Sequence, residues 1–194
     1  MGALRIETPG WLDELPRPEL GLGASDADRM VWVLDVLDRQ VEEATGGPFS
    51  AAVFSDATGE VLGVGVNRVE PTSTCVAHAE VLALGQATQR AGSFTLDGLD
   101  AVLVTSTEPC AMCLGALVWA GVRRVVCAAA DPDARAVGFD EGDKPDDWVE
   151  ALHHRGIEVV RAVGRERAAA AMRRYVERGG TVYNGSPDPD PHLT

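Results

Sequence analysis

Residues 100–130, DAVLVTSTEPCAMCLGALVWAGVRRVVCAAA, decide the fold class, because three elements follow one another there without a linker. The apolar run at 100–106 predicts a buried strand, the segment 110–121 a helix, and the run at 123–130 a second strand. Strands that alternate with helices favour a layered α/β sheet whose crossover connections are right-handed. The stretch therefore predicts the α/β class.

The same alternation continues on both sides of this stretch. Upstream, Ser25 and Asp28 predict a capping box that opens an amphipathic helix, and Gly46 ends that helix. A turn at Asp56 to Gly59 joins two further strands into a predicted hairpin. The other predicted elements are a helix at 77–91, a polar loop at 130–147, a helix at 146–156, a strand at 157–163 and a helix at 165–180.

Composition places the domain boundaries near the two ends of the chain. Residues 1–24 are rich in proline and glycine and predict an irregular lead-in. No linker divides the residues between the two ends, so we expect one domain. Residues 186–194, SPDPDPHLT, predict a frayed tail.

Charge and cysteine content narrow the class of protein. The net charge is −13 and the isoelectric point is near 4.6. Such a surface repels phosphate backbones, so we expect a small-molecule substrate and no nucleic-acid partner. No apolar run is long enough for a membrane span, and no secretory signal precedes residue 24. We therefore expect a cytoplasmic protein whose four cysteines are reduced or bind metal.

Two short motifs supply metal-ligating residue types. Cys110 and Cys113 lie at the predicted start of one helix, directly after Pro109, and His78 lies at the first turn of another. If the two helices are neighbours on one sheet face, their N-termini converge. The three side chains then predict a zinc site with three protein ligands and one open position.

Glu80 is the candidate proton acceptor beside this site. Bound zinc lowers the pKa of water from 15.7 to about 7, and a nearby carboxylate can move the released proton to a leaving amine. In a regular helix Glu80 would lie about 200° around the axis from His78. Spacing alone therefore does not place both side chains in one cavity.

Two other interpretations of these motifs stay open. A Cys-x-x-Cys pair is also typical of redox proteins, although that function leaves His78 and Glu80 unexplained. A closed structural zinc site would need a fourth protein ligand, and Cys75 is the only nearby thiol.

Taken together, His78-x-Glu80 and Pro109-Cys110-x-x-Cys113 form the signature of zinc nucleobase deaminases. Residues 25–185 thus resemble the cytidine deaminase-like superfamily. The resemblance implies a three-layer α/β/α fold with a central mixed β-sheet. It also implies one catalytic Zn²⁺ bound by His78, Cys110 and Cys113, with Glu80 as the proton shuttle of a hydrolytic deamination.

Within this superfamily the segments PFSAAVFS, VGVNR and CLGALVWAGVRRVV resemble bacterial guanine deaminases and the related tRNA adenosine deaminases. The resemblance implies that Asn67 hydrogen-bonds the base and that Phe49 lines the pocket. The usual glycine after this phenylalanine is Ser50 here. Trp119 occupies a position where guanine deaminases carry tryptophan and tRNA editors more often histidine, which favours a free purine.

Two segments resemble the parts of guanine deaminases that complete the pocket. In residues 138–148 the resemblance implies that Asp140 or Glu141 contacts the amino group of the substrate or aids proton transfer. Residues 175–185 resemble a C-terminal lid, closed within one chain or swapped between the subunits of a homodimer.

The sequence leaves the exact substrate open. Guanine is the leading candidate, and the product would be xanthine plus ammonia. The alternatives are guanosine, cytosine or cytidine, an aminotriazine such as ammeline, and a base from secondary metabolism. A tRNA adenosine deaminase is disfavoured by the excess of 30 acidic over 17 basic residues.

Overall fold

The structure, a computed structural model, describes residues 4–21 and 23–184 and contains one five-stranded sheet in the order β2-β1-β3-β4-β5. The strands are β1 (Ser50–Ser55), β2 (Val61–Val66), β3 (Ala101–Thr107), β4 (Arg124–Ala129) and β5 (Glu158–Val160). The helices are α1 (Gly10–Asp13), α2 (Asp26–Glu42), α3 (Val69–Thr72), α4 (Ala79–Ala91), α5 (Ala111–Ala120), α6 (Asp131–Ala136), α7 (Trp148–His153) and α8 (Arg165–Glu177).

The sheet is mixed, as the resemblance implied. Strand β1 pairs antiparallel with both β2 and β3, whereas β3–β4 and β4–β5 are parallel pairs. The parallel half is the strand–helix–strand unit that residues 100–130 predicted, with α5 as its crossover. The antiparallel half is the hairpin β1–β2, which contains a bulge between Val53 and Phe54.

Helices cover both faces of the sheet. Successive residues of a strand point to opposite faces, so each strand contributes to two layers of packing. On β1, Ala52 and Phe54 pack with residues of α2 and α8. Ala51 and Val53 pack on the other face with residues of α4, α5 and α7. The predicted three-layer α/β/α architecture is therefore confirmed.

Two glycines of β2 let α4 lie close to the sheet. A Cβ atom at Gly65 would lie 2.2 Å from the carbonyl oxygen of Ala79, and one at Gly63 would lie 2.3 Å from that of Ala83. Both contacts are too short for any side chain. The absence of side chains here brings the first turn of α4, which carries Glu80, directly against the strand.

The bounds of several helices and strands differ from those predicted. The capping box of Ser25 and Asp28 is present at the start of α2. The predicted polar loop at 130–147 was wrong in part, because it contains α6, whose N-cap backbone N–H donates to Asp133. The strand predicted at 157–163 is shorter than expected, and so is the helix at 146–156.

The structure describes most of the N-terminal lead-in but not the last ten residues. Leu12, on α1, is 1% exposed and belongs to the core, so the lead-in packs against the domain. The division at residue 24 stays a prediction, and the predicted tail at 186–194 lies outside the described residues. Among the helices of the described residues, none combines the length and the apolar character of a membrane span.

Candidate active site

His78 and Glu80 lie at the start of α4 and reach the same cavity. His78 is the N-cap residue, with extended backbone angles of −72° and 150°, whereas Glu80 lies in the first helical turn. Since His78 lies outside the regular helix, the 200° separation expected from helical periodicity does not apply. The backbone turn at the N-cap brings the two side chains together.

Cys110 and Cys113 lie at the start of α5 in a similar arrangement. Cys110 is the N-cap residue, and Cys113 is the third residue of the helix. The N-terminus of a helix carries a partial positive charge, which favours thiolates over thiols. Helix α5 follows the carboxyl end of β3, and α4 packs beside it, so the two N-termini converge as the sequence predicted.

The three candidate ligands form one compact cluster. The Sγ atoms of Cys110 and Cys113 lie 3.5 Å and 3.7 Å from His78 Nδ1, and all three ligand atoms lie within 4.8 Å of one another. With Zn–S bonds of about 2.3 Å and Zn–N bonds of about 2.0–2.1 Å, tetrahedral geometry separates nitrogen and sulfur by about 3.6 Å. The cluster therefore fits zinc in its spacing and in its donor atoms.

The cluster also leaves one coordination position open. Among the described residues the group of metal-ligating side chains comprises only these three, and Cys75 is exposed and outside it. Three protein ligands are typical of catalytic zinc sites, whereas structural sites use four.

The local electrostatics favour one thiolate even before a metal binds. Hydrogen bonding from Cys113, and then from His78, lowers the pKa of Cys110 to about 4. The hydrogen bond with Cys110 and burial raise the pKa of Cys113 in turn. The paired sulfurs therefore hold one negative charge readily, as a cation site requires.

The side chain of Glu80 is buried between the cluster and the sheet, with 7% of it exposed. The Cys113 thiol donates to Glu80 Oε2 at 3.5 Å, and the Thr105 hydroxyl donates to Oε1 at 3.3 Å. Burial raises the pKa of Glu80, and the charge on Cys110 raises it further. A raised pKa brings the carboxyl group closer to the range in which a general acid–base residue both accepts and releases a proton.

A narrow pocket opens above this carboxyl group. It encloses about 30 Å³, room for about one water molecule. Its wall is formed by Phe49, Asn67, His78, Glu80, Thr107, Glu108, Cys110, Phe139, Asp140, Glu141 and Tyr183. Seven of the nine predicted site residues line it; Cys113 lies beneath the pocket and Trp119 outside it.

Comparison with known proteins identifies the family that has this site. Residues 25–129 match the family described as the cytidine and deoxycytidylate deaminase zinc-binding region. The chain belongs to this family. The matched residues include the three candidate ligands His78, Cys110 and Cys113. They also include Glu80, whose carboxyl group lies beside the cluster.

The most similar relatives of this deaminase include guanine deaminases. That of Bacillus subtilis is 41% identical over 111 residues, which cover 54% of this chain and 69% of the relative. The crystal structure of guanine deaminase from Nitrosomonas europaea is 42% identical with a TM-score of 0.82, over 89% of this chain and 96% of that one. A related crystal structure in complex with 2,6-diaminopurine is also 42% identical, with a TM-score of 0.85 over 94% and 97% of the two chains.

In this deaminase Asn67 and Phe49 lie where the sequence predicted, on the pocket wall. The Asn67 side chain donates from Nδ2 to the hydroxyl of Tyr183, and its Oδ1 accepts from the backbone N–H of Val69. Phe49 packs edge-on against Phe139 at a centroid distance of 4.9 Å. Tyr183, which the sequence indicated as a candidate lid residue, therefore contacts the predicted base-binding residue directly.

The two acidic candidates of the 138–148 segment differ in their surroundings. The Asp140 side chain is half exposed, lies 3.4 Å from the Arg135 guanidinium and accepts from the Gly142 N–H at 3.0 Å. Glu141 is 5% exposed, and burial together with the charge on Cys110 raises its pKa to about 9. Glu141 is therefore the better placed of the two to meet a buried ligand.

Trp119 does not line the pocket. It is 82% exposed on the outer face of α5, because Cys113 and Leu117 occupy the face of that helix that packs inward. Sequence reasoning in turn missed Thr105, Phe139 and Glu108. For Thr105 the available signal was the polar run 105–107 at the end of β3, since Leu103, Thr105 and Thr107 share one face.

Proposed function

We propose that this protein is a zinc-dependent hydrolase that deaminates guanine to xanthine and ammonia. The observation that carries the proposal is the Glu80 carboxyl group, 3.5 Å from Cys113 Sγ beside a cluster of one histidine and two cysteines. Membership of a zinc-binding deaminase family and similarity to guanine deaminases over most of both chains support it.

His78, Cys110 and Cys113 are the proposed zinc ligands. When bound, Zn²⁺ lowers the pKa of water from 15.7 to about 7 and so supplies a hydroxide nucleophile at neutral pH. Glu80 accepts the proton of the water at a carboxylate oxygen and delivers it to the amino group that leaves as ammonia. Thr105 holds the opposite carboxylate oxygen, which limits rotation of the group between the two proton transfers.

The remaining pocket residues suit a purine with donors along one edge. Guanine presents its N1–H and 2-amino group together, and a carboxylate is a strong acceptor for both. These donors favour the ionised form of the carboxyl group and so oppose the raised pKa that burial gives Glu141. Glu141 is the proposed acceptor, with Asp140 as its half-exposed neighbour. Asn67 carries both a donor and an acceptor and reads another edge of the base. Phe49 supplies an apolar wall for the ring.

Tyr183 is the proposed lid residue. Its ring lies 5.7 Å from that of Phe139 and 6.4 Å from that of His78, and its hydroxyl accepts from Asn67. Tyr183 therefore closes one side of the pocket above Glu80. A lid movement of the segment that carries it would admit a base and then enclose it. A swapped lid from a second chain would place the same residue in the same pocket.

A homodimer through the outer face of α5 is part of the proposal. This helix carries no charged residue, and its outward positions include Met112, Gly115 and Trp119. A large exposed tryptophan within an apolar stripe is typical of a protein interface. The role proposed for Trp119 is therefore association of two copies rather than contact with the base inside its own chain.

The proposed setting is the cytoplasm, with a free base and no nucleic acid as substrate. All four cysteines are free thiols, a state that a reducing compartment preserves. The net charge of −13 disfavours binding to a phosphate backbone.

The proposal is tested by ammonia release from purified, zinc-loaded protein. The panel comprises guanine, guanosine, adenine, cytosine, cytidine and ammeline, with the Glu80→Gln variant as the blank. We expect guanine to turn over alone or far faster than the others. Preference for another ring would keep the zinc mechanism and reject guanine, whereas inactivity toward the whole panel with zinc bound would reject the function.

A further inference from the structure

A group of four paired charges, two of them buried, lies next to Cys110, and the proposed reaction does not use it. We call it the Lys144 cluster; it comprises Glu108, Asp131, Lys144 and Arg161. The side chains of Glu108 and Lys144 are only 4% and 5% exposed. Charged groups are rarely buried to this extent unless every charge is paired.

The Lys144 ammonium makes two hydrogen bonds and one longer ion pair to protein groups. Its Nζ donates to the carbonyl oxygen of Pro109 at 3.3 Å and to the carboxylate of Asp131, and it lies 3.7 Å from Glu108 Oε2. The ammonium also lies 4.7 Å from the centre of the Trp148 ring. An ammonium has three donors and no acceptor, so two of the three donors are hydrogen-bonded and the Glu108 carboxylate supplies a further ion pair.

The cluster is electrically balanced. Glu108 accepts from Arg161 Nε at 2.6 Å and from the backbone N–H of Asp131 at 3.2 Å. Two carboxylates therefore face two cations. Arg161 is about half exposed, whereas Lys144 is enclosed, so the lysine is the partner that water cannot replace.

The contacts of Lys144 join two segments that both reach the pocket. Pro109 directly precedes Cys110, and Lys144 ends the segment 139–144, which carries Phe139 and Glu141. A second contact joins the same segments, because the backbone N–H of Ala111 donates to the carbonyl oxygen of Glu141 at 3.0 Å. The lysine thus fixes the pocket wall on one side to the start of α5 on the other.

We propose that Lys144 is a positioning residue of this site, whose buried ammonium clamps segment 139–144 to residues 108–110 and so holds the Glu141 carboxyl group in the pocket. The kinetic part of this inference rests on the proposed function, whereas the clamp itself does not. Lysine suits the position because its compact charge reaches a carbonyl and two carboxylates in different directions, which a planar guanidinium does not match.

The test compares Lys144→Met with Arg161→Met. Both substitutions remove one cation from Glu108, but only the first cuts the tie to segment 139–144. We measure kcat and KM for guanine, zinc content by elemental analysis, melting temperature, and hydrogen exchange at the amides of Ala111 and residues 140–143. Lys144→Arg is the conservative variant.

For Lys144→Met we expect kcat/KM to fall at least about tenfold, since small displacements of a catalytic group are costly, with zinc content unchanged. Exchange at Ala111 and residues 140–143 should accelerate at least about tenfold, because the docked segment opens locally. Lys144→Arg should recover part of both losses. Arg161→Met should change either quantity by no more than about twofold.

If Lys144→Met does not fold, the double variant Asp131→Asn/Lys144→Met replaces it, because Glu108 and Arg161 then remain a balanced pair. The inference would be overturned if amide hydrogens at Ala111 and residues 140–143 exchanged in the folded variant at the same rate as in the wild type. Equal effects of the Lys144 and Arg161 substitutions would also overturn it. A wild-type protein inactive toward guanine would instead overturn the proposed function, and the exchange data would still decide the clamp.

Discussion

The hydroxyl of Thr105 donates a hydrogen bond of 3.3 Å to Glu80 Oε1, and the two side chains are only 1% and 7% exposed. Thr105 lies on the central strand β3, paired with β1 on one side and β4 on the other. One carboxylate oxygen is therefore held by the central strand of the sheet, while the other faces the sulfur of Cys113.

This relationship predicts a kinetic effect of Thr105→Val, which removes the hydroxyl and keeps the shape. A hydrogen bond to a charged group contributes about 1.5–3 kcal/mol, so kcat should fall about tenfold or more. KM and zinc content should stay near wild type, because Thr105 is neither on the wall of the pocket nor among the three candidate ligands. Steady-state kinetics and elemental analysis provide the check.

Thr105→Ser is the matched control for this prediction, since it restores the hydroxyl without the methyl group. It should recover most of kcat. Equal losses in the serine and valine variants would instead indicate a packing defect in β3.

The metal cluster could be predicted from sequence because its information is local. Cys110 and Cys113 share one helix start, and the identity of each residue type specifies its chemistry. Only the convergence of α4 and α5 was a tertiary inference, and it followed from the alternation of strands and helices. The 200° separation expected in a regular helix does not apply to Glu80, because His78 precedes the helix rather than belonging to it.

The pocket wall was harder to predict because its residues meet only through long-range packing. Phe139 and Tyr183 are 44 positions apart, yet their rings lie 5.7 Å from each other. The orientation of Trp119 depends on which face of α5 meets the sheet, and a helix that is apolar all round gives no periodic signal for that choice. Buried pairs such as Glu108 and Lys144 likewise resemble solvated charges in the sequence.

Glu80→Gln should abolish turnover and keep the metal. The substitution retains the shape of the side chain and leaves His78 and both cysteines intact, but an amide cannot carry the proton. A general acid–base residue contributes about 10²–10⁴-fold, so kcat should fall by at least that range. Ammonia release and zinc stoichiometry are measured on the same sample, and activity above about a tenth of wild type would refute the proton-shuttle role.

Removal of zinc should stop turnover without unfolding the domain. The core consists of two apolar clusters on either side of the sheet, neither of which depends on the cluster of ligands. Protein treated with a chelator should keep its far-ultraviolet circular dichroism, show a lower melting temperature, and regain activity when Zn²⁺ is added. Global unfolding on chelation would indicate a structural ion instead.

Cys110→Ala tests the ligand assignment separately. Loss of one of three ligands should lower the zinc content well below one ion per chain after dialysis. Cys75→Ala is the control, because that exposed thiol lies outside the cluster, and it should keep the full zinc content.

Tyr183→Ala should impair catalysis through loss of the closed pocket. The Tyr183 ring packs edge-on against the ring of Phe139 and lies 6.4 Å from the ring of His78. Its removal therefore exposes the pocket to water. We expect kcat/KM for guanine to fall at least about tenfold, because water exclusion strengthens the polar contacts at the site. Tyr183→Phe keeps the ring and loses one hydrogen bond to Asn67, so it should cost about tenfold at most. An alanine variant as active as wild type would exclude a lid role.

Trp119→Glu should dissociate the proposed dimer. The tryptophan is 82% exposed on a helix without charged residues, and a buried carboxylate at the centre of an apolar interface would lack a partner. Hot-spot residues contribute about 2 kcal/mol or more, which corresponds to at least about a 30-fold weaker association. Light scattering after size-exclusion chromatography measures the mass directly.

Phe94→Glu is the control, since Phe94 is 90% exposed but lies in the loop between α4 and β3. The Phe94 variant should keep the mass of a dimer, and a Trp119 variant that also keeps it would place the interface on another face.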